Sequence, residues 1–468
     1  MKETRFFLPG MDKPVRTCLI SPSSYAESSA HLGFQWVWRR LNSHPEVFCD
    51  RASLNDRRGV HSGYPLGGMS VLFITMPYEA AFPDLVRMLT HLQIPPLREN
   101  RSPKHPLLIL GGHSARLIPH LLLSIVDALA LGDIELLGNP LLDACARKDR
   151  EALFKDLQRI DGVICDFPPG PNFYREVNPS FFALEENLPV AAFTTRSSAF
   201  PGAFLTEAGR GCPQHCKFCF ISHAQGPFHP FPASSILQLP ERFPGVDHFG
   251  LIGAAVGDHP DMEAILNVFA DRGKRVSLSS IKVPFMKDAT LQALRRCGET
   301  TVTIAPESGA EELRRAMNKP YSDERIVDAV ARAGAAGFTR IKTYFLLGLP
   351  EEKNEDMAAI GSLLQRMRKS LRPSEKQTGR AVEILVSAAP FVPKPLTPWS
   401  EVPMVSAKDI RSRWNTLRGE LRTINGVRLQ KFEWKEALLQ YRLLRASPDE
   451  AAALVDEFTR TDPAVARF

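Results

Sequence analysis

The sequence predicts two α/β domains in series, an N-terminal doubly wound parallel sheet and then an incomplete (β/α)6 barrel, followed by a short helical C-terminal region. Three observations carry this. Apolar runs of strand length alternate with amphipathic segments of helical spacing through most of the chain, the pattern that a parallel sheet with crossover helices requires. A Pro-rich irregular stretch, "DFPPGPNFYREVNPS" at 166–180, interrupts the alternation. Past "VPKPLTPWSE" at 392–401 the strand signal ends and helical periodicity remains. The expected domains are therefore 1–185, 196–395 and 396–468.

In the first domain, "VRTCLISP" (15–22), "MSVLFITMP" (69–77), "HPLLILGG" (105–112) and "ALALGD" (128–133) read as strands. "HLGFQWVWRRLN" (31–42), "FPDLVRMLTHLQI" (82–94) and "LIPHLLLSIVD" (117–127) read as the helices between them. Doubly wound, Rossmann-like sheets bind ligands beyond the carboxyl ends of their strands. Those ends carry Ser21–Tyr25, Thr75–Glu79, Gly111–Ser114 and Gly132–Glu135. The second domain offers six strands, 203–211, 248–256, 275–280, 301–307, 340–350 and 381–391, most of them separated by amphipathic helices. Six such repeats suggest a shortened relative of the eight-stranded barrel, with chemistry at the carboxyl ends of the strands. The charged stretch "RKSLRPSEKQTGR" (368–380) reads as an exposed loop.

Composition narrows the function classes. The chain has 468 residues, 44% hydrophobic and 24% charged, as in ordinary globular proteins. Its most apolar region is broken by His113, Arg116, Pro119, His120 and Asp127 before a membrane span accumulates, and the N-terminus lacks the apolar core of a secretion signal, so cytoplasm is the expected location. The net charge of +6 is spread along the chain, with no basic run interleaved with aromatics to signal nucleic-acid binding. Of eight cysteines, Cys18, Cys49, Cys145, Cys165 and Cys297 are isolated and read as small buried hydrophobes.

The other three lie together. "GRGCPQHCKFCF" (209–220) sets Cys212, Cys216 and Cys219 on the loop after the first barrel strand. Thiolate is the soft, anionic ligand that iron–sulfur centres select, and three cysteines on a four-iron cluster leave one iron open to a further ligand. A structural zinc site would need a fourth ligand, such as His215, without the second CxxC of most zinc ribbons. A redox dithiol would leave Cys212 unexplained.

The stretch resembles the radical SAM superfamily signature, CxxxCx(aromatic)C, with Phe218 at the aromatic position. The resemblance implies that Cys212, Cys216 and Cys219 hold a [4Fe–4S] cluster and that S-adenosylmethionine chelates the fourth iron. It further implies that Phe218 lies near the adenine. "GAAVGDHPD" (253–261), from Gly253, occupies the place of the Gly-Gly-Glu motif that orients the methionine amino group, but departs from it. "APESG" (305–309) resembles the ribose-contacting motif, with Glu307 and Ser308 as candidates, and "LLGLPEE" (346–352), with Gly348, resembles the adenine-lining segment.

Beyond the core, "YAESSAHLGFQWVWRRLN", "LILGGHSARLIPHLLLSIVDALALGDIE", "TIAPESGAEELRRAMNK" and "FVPKPLTPW" are similar to a group of radical SAM proteins whose barrel follows a cobalamin-binding-type domain. In that light Gly111 and Gly112 become cofactor-binding candidates. The Asp-x-His-x-x-Gly motif whose histidine ligates cobalt is absent from the first 200 residues, and neither His31 nor His113 stands in that context. Either cobalamin binds without a protein ligand to cobalt, or the domain keeps the fold without the cofactor. The implied function is reductive cleavage of S-adenosylmethionine with cobalamin-dependent methyl transfer to carbon, fed by a low-potential donor such as flavodoxin or ferredoxin. The alternatives are a radical SAM enzyme without cobalamin, performing hydrogen abstraction, rearrangement or sulfur insertion, and a non-enzymatic zinc protein acting on nucleic acid. His223, His229 and His259 fall near the expected active face, with no metal-ligand spacing. Lys394 and Trp399, on the Pro-rich loop after the last strand, are candidates to touch substrate or to serve as a rigid connector.

Overall fold

Parallel strands with both faces covered are the stable outcome for apolar runs of this length, because crossover helices bury each side of the sheet. In the computed structural model, which describes residues 2–147, 149–166 and 174–460, the chain forms two units. The first comprises the chain up to Asn178, Pro189–Ala203 and the segment from Arg442 onward; the second comprises Pro179–Leu188 and Phe204–Tyr441. Part of the Pro-rich stretch at 166–180 lies outside the described residues.

The first unit is built on a six-stranded sheet. Its strands are β1 (Val15–Ile20), β2 (Val47–Ala52), β3 (Val71–Thr75), β4 (Leu107–Gly111), β5 (Ala128–Ala130) and β6 (Val163–Ile164), in the order β2-β1-β3-β4-β5-β6. All neighbours are parallel except β5 and β6. This is the doubly wound order with its switch point between β1 and β3, where such sheets leave a crevice. Helix α1 (Leu32–Leu41) buries Phe34, Trp36, Trp38 and Leu41, and Trp38 Nε1 donates to the Cys49 carbonyl at 2.9 Å. The expected helix over 117–127 is a short turn at His113–Arg116 followed by Pro119–Leu123, because Pro119 starts a new helix and the chain must then turn into β5.

Besides a two-residue antiparallel pair, Gly209–Arg210 with His229–Pro230, the described residues of the second unit form seven strands in two parallel sets. β7 (Phe204–Glu207), β8 (His248–Ile252) and β9 (Arg275–Leu278) form one parallel set, and β10 (Thr301–Glu307), β11 (Arg340–Leu347), β12 (Glu383–Pro390) and β13 (Val427–Leu429) form the other. A hydrogen bond from Ile281 N to the Thr303 carbonyl, 3.5 Å, links the chain beyond β9 to β10. β7 to β12 are the six strands of the incomplete barrel, and β13 adds a parallel strand that the sequence did not advertise. Buried and half-buried residues alternate along β11, as in a strand with one face under helices and the other lining an interior.

Two readings of the sequence are corrected. Residues 368–380 are not an exposed loop: helix α2 (Glu355–Thr378) runs through most of them, burying Met357, Ile360, Leu364, Met367, Leu371 and Ser374 at helical spacing, while Arg368 pairs with Glu375 and most other charges face outward. The helical region expected at 396–468 is shared between the units. Helix α3 (Ala407–Leu421) and β13 belong with the barrel, whereas α4 (Ala451–Arg460) buries Leu454, Val455 and Phe458 in the first unit, with Phe458 edge-on to Phe82 at 6.2 Å. Among the described residues no helix is long and apolar enough to cross a membrane.

Candidate active site

The cysteine loop leaves the carboxyl end of β7 and is fixed by backbone geometry before any side chain acts. Gly211 has φ +85°, and a Cβ there would lie 2.0 Å from the Pro227 carbonyl oxygen, so only glycine fits. Cys212 N donates to the Gly226 carbonyl (3.2 Å) and Cys219 N to the Cys216 carbonyl (3.0 Å). The short helix Phe220–Ala224 follows, from which Ser222 Oγ donates to the Cys219 carbonyl at 3.0 Å.

A second element latches this loop. After helix Glu311–Ala316 the chain turns through Asn318, at φ +63°. Asn318 Nδ2 donates to the carbonyls of Gln214 and His215, both at 3.0 Å, and Lys217 N donates to the Met317 carbonyl at 3.0 Å. Asn318 was not singled out from the sequence; an Asn just past a helix, where a left-handed residue ends it, was the available signal.

Cys212 and Cys216 are buried and Cys219 is half-buried. Burial pushes the Cys216 thiol up to about 12, against the lowering effect of Lys319. Loading a metal there therefore expels a proton into solvent or a nearby base. Among the described residues no group of three or more His, Cys, Asp or Glu side chains converges on a single-ion site. An iron–sulfur cube offers each thiolate its own iron, and two buried thiols and a half-buried one on a single clamped loop are a donor set that fits it.

Three groups of candidates lie on the loops after β7, β10 and β11 and on the Pro-rich loop after β12. Phe218 packs against an apolar cluster of Leu313, Met317, Leu349 and Phe391, which Trp399 also joins, edge-on to Phe391 at 5.6 Å. Trp399 N donates to the Lys217 carbonyl at 3.3 Å, so the Pro-rich loop closes onto the cysteine loop. Glu307, at φ +66°, ends β10 and pairs with Lys319 at 2.7 Å. Ser308 is 1% exposed; its Oγ accepts from Ala310 N and its carbonyl from Arg314. Gly348, at φ +86°, donates its N–H to the buried carboxylate of Glu352, 2.6 Å away, which Arg413 also holds at 2.8 Å.

At the carboxyl end of β8, Gly253 approaches the backbone so closely that a Cβ would lie 2.7 Å from the Gly209 carbonyl oxygen. Asp258 follows in the same loop. Its Oδ2 pairs with Lys282 at 2.6 Å while its Oδ1 is buried with no hydrogen-bond partner, and burial raises its pKa. Lys282 Nζ also lies 3.5 Å from Cys212 Sγ, a contact between residues 70 apart with no local signal.

The three histidines are occupied in the fold. His223 Nε2 lies 3.0 Å from the Cys216 carbonyl, His229 stacks on Phe182 at 5.0 Å, and buried His259 meets the Phe231 carbonyl at 2.8 Å, its pKa lowered by burial. Gly111 and Gly112 lie in the first unit, at the end of β4, where Gly112 has φ +111°. Beside them His113 stacks on Tyr174, whose hydroxyl lies 3.2 Å from Asp133 Oδ1.

Residues 206–364 match the model of the radical SAM superfamily, and residues 33–165 match that of radical SAM proteins, N-terminal. An uncharacterised protein of Methanocaldococcus jannaschii is 26% identical over 379 residues, 80% of this chain and 77% of its own. A tRNA-2-methylthio-N(6)-dimethylallyladenosine synthase of Ruegeria sp. is 25% identical over 238 residues, 47% of this chain and 50% of that protein. The cobalamin-dependent S-adenosylmethionine radical enzyme OxsB, solved with aqua-cobalamin and S-adenosylmethionine, shares the fold at a TM-score of 0.53 and 12% identity. The match covers 88% of this chain and 62% of OxsB, so this chain spans less than two thirds of that enzyme. The chain thus carries a radical SAM superfamily domain at 206–364, preceded at 33–165 by the N-terminal domain type of radical SAM proteins, on a fold shared with OxsB.

Proposed function

We propose that the protein is a cobalamin-dependent radical SAM enzyme that transfers a methyl group to a carbon of its substrate. The observation that carries this reading is the pairing, in one chain, of a doubly wound sheet with a barrel whose first strand delivers three thiols on a latched loop. In this reading Cys212, Cys216 and Cys219 hold the [4Fe–4S] cluster that the family implies. When bound, the cluster supplies the electron that cleaves S-adenosylmethionine, and cobalamin supplies the methyl-carrying cobalt.

The chain's own residues bind, orient and exclude water. The Asn318 latch keeps the thiols in place, and the cluster around Phe218, Leu349, Phe391 and Trp399 keeps solvent from one side of the loop. The unpartnered Asp258 oxygen, in the loop that Gly253 opens, is the candidate to orient the amino group of S-adenosylmethionine. Glu307 and the Ser308 turn are candidates for the ribose, and Gly348 for the adenine. Low-potential electrons would come from a donor such as flavodoxin or ferredoxin, in the cytoplasm.

The first unit suits a corrinoid by its sheet order and by glycines at a strand end next to the switch point. Of the two histidines weighed as a lower ligand, His31 stands exposed just before α1 and His113 is stacked on Tyr174. The reading is accordingly of cobalamin held without a protein ligand to cobalt. The OxsB likeness supports the fold on which it rests.

Sulfur insertion is the competing reading that the methylthio-synthase relatives raise. It would call for further cluster ligands, and Cys18, Cys49, Cys145, Cys165 and Cys297 are buried, with thiol pKa values raised first of all by desolvation. The test is product analysis after anaerobic incubation with dithionite, cobalamin and S-adenosylmethionine. S-adenosylhomocysteine formed in a cobalamin-dependent manner supports methyl transfer. Formation of 5′-deoxyadenosine alone, unchanged by cobalamin, contradicts it.

A further inference from the structure

Lys282 follows β9 as the residue before the short turn Val283–Phe285, and its neighbours Ile281 and Val283 are buried, so its backbone is fixed. Its ammonium group serves two partners. Nζ lies 2.6 Å from Asp258 Oδ2 and 3.5 Å from Cys212 Sγ. The side chains of Lys282 and Asp258 are only 17% and 9% exposed, so solvent screens this charge weakly. Cys212, Lys282 and Asp258 sit 24 and 70 residues apart along the chain, on three successive barrel loops, and their convergence needs the whole first half of the barrel.

We propose that Lys282 is a positioning residue for the cluster's electron affinity: it donates a charged N–H to the Cys212 sulfur, with Asp258 holding the ammonium and offsetting part of its charge. The inference rests on the reading that Cys212 is a cluster ligand and is independent of cobalamin. Reduction adds one electron, and so one negative charge, to the cluster. A fixed cation against a ligating sulfur stabilises the reduced form, and hydrogen bonds to the sulfurs are among the levers that set cluster potentials. The carboxylate works in the opposite sense. Lys282 and Asp258 should therefore move the potential in opposite directions, which a role in packing alone would not produce.

The experiment is a redox titration of the full chain, reconstituted anaerobically with iron and sulfide and followed by the electron paramagnetic resonance signal of the reduced cluster, without S-adenosylmethionine or corrinoid. Iron and sulfide content is measured for each protein. Expected is a midpoint shifted to more negative potential in Lys282→Met, near the wild-type value in Lys282→Arg, and shifted to more positive potential in Asp258→Asn. Unshifted midpoints in fully loaded Lys282→Met and Asp258→Asn overturn the inference, as do shifts of the same sign in both. If Lys282→Met fails to assemble the cluster, Asp258→Asn decides: a positive shift supports the inference and no shift overturns it. A wild-type protein that forms no cysteine-dependent cluster overturns the ligand assignment itself, and is distinguished by its iron and sulfide content before any titration.

Discussion

Asn318 holds His215 from 103 residues away, its side-chain amide donating to the His215 carbonyl at 3.0 Å in the middle of the CxxxCxxC run. The same amide reaches the Gln214 carbonyl, and Lys217 N is held by the neighbouring Met317 carbonyl. The spacing of the thiols is thus set by a turn that follows the fourth barrel strand.

Asn318→Ala removes both side-chain hydrogen bonds and places a residue poorly suited to φ +63°. Each such loss costs about 1 kcal/mol, more where a group is left unsatisfied. The expected result is a lower yield of iron per chain on reconstitution, with a fall in thermal stability. Asn318→Gly, which keeps the backbone at ease, should recover part of the stability and little of the loading.

Gly211→Ala should be more severe. The substitution meets the Pro227 carbonyl at 2.0 Å and adopts φ +85°, whereas Gly245, with open space around it, accepts alanine freely. A strained left-handed residue costs about 1–3 kcal/mol before the clash is counted. Thermal unfolding should show a large drop for Gly211→Ala and none beyond error for Gly245→Ala, and cluster loading should follow the same order.

Glu352 predicts a pH dependence. Burial raises its pKa to about 7 from 4.5, outweighing the Gly348 N–H and the Arg413 guanidinium that favour the charged form. A carboxyl raised on folding stabilises the folded state most below its unfolded pKa, and that contribution is lost as pH rises through the folded value. Stability should therefore fall between pH 4.5 and about 7, and level off above. Glu352→Gln, which still accepts from Gly348, should flatten that slope in denaturant titrations run across the range.

Phe458→Ala tests whether the C-terminal helix is part of the first unit. Phe458 is 6% exposed and edge-on to Phe82. Removing a buried phenyl ring costs about 3–5 kcal/mol. The denaturation midpoint should fall by a corresponding amount, and Glu457→Ala, on the exposed side of the same helix, should change it little.

The barrel was legible because each of its six strands is an apolar run between amphipathic helices, and the pattern of β11 alternates with period two. The three thiols were legible because their spacing is local. Strand β2 was missed because "VFCDRA" carries Asp50 and Arg51 in a stretch that is wholly buried. Their partners are remote: Asp50 accepts from His61 N, Ser62 N and Ser62 Oγ, and Arg51 pairs with Glu3. Residues 368–380 looked like a loop because charge is dense there and Pro373 interrupts it, yet the apolar stripe from Met357 to Leu371 carries the helix through. Lys282 carried no local signal, and that of Asn318, an Asn just past a helix, did not show what its side chain holds. Each acquires its role from a contact 70 or more residues away.

The most direct test of the proposed function is the absorbance spectrum after anaerobic reconstitution with iron, sulfide and hydroxocobalamin, followed by desalting, beside a Cys216→Ala control. Retained corrinoid bands are expected together with cluster absorption that disappears in the Cys216→Ala protein. A cysteine-dependent cluster without any retained corrinoid would contradict cobalamin-dependent methyl transfer and leave a radical SAM enzyme that works by hydrogen abstraction alone.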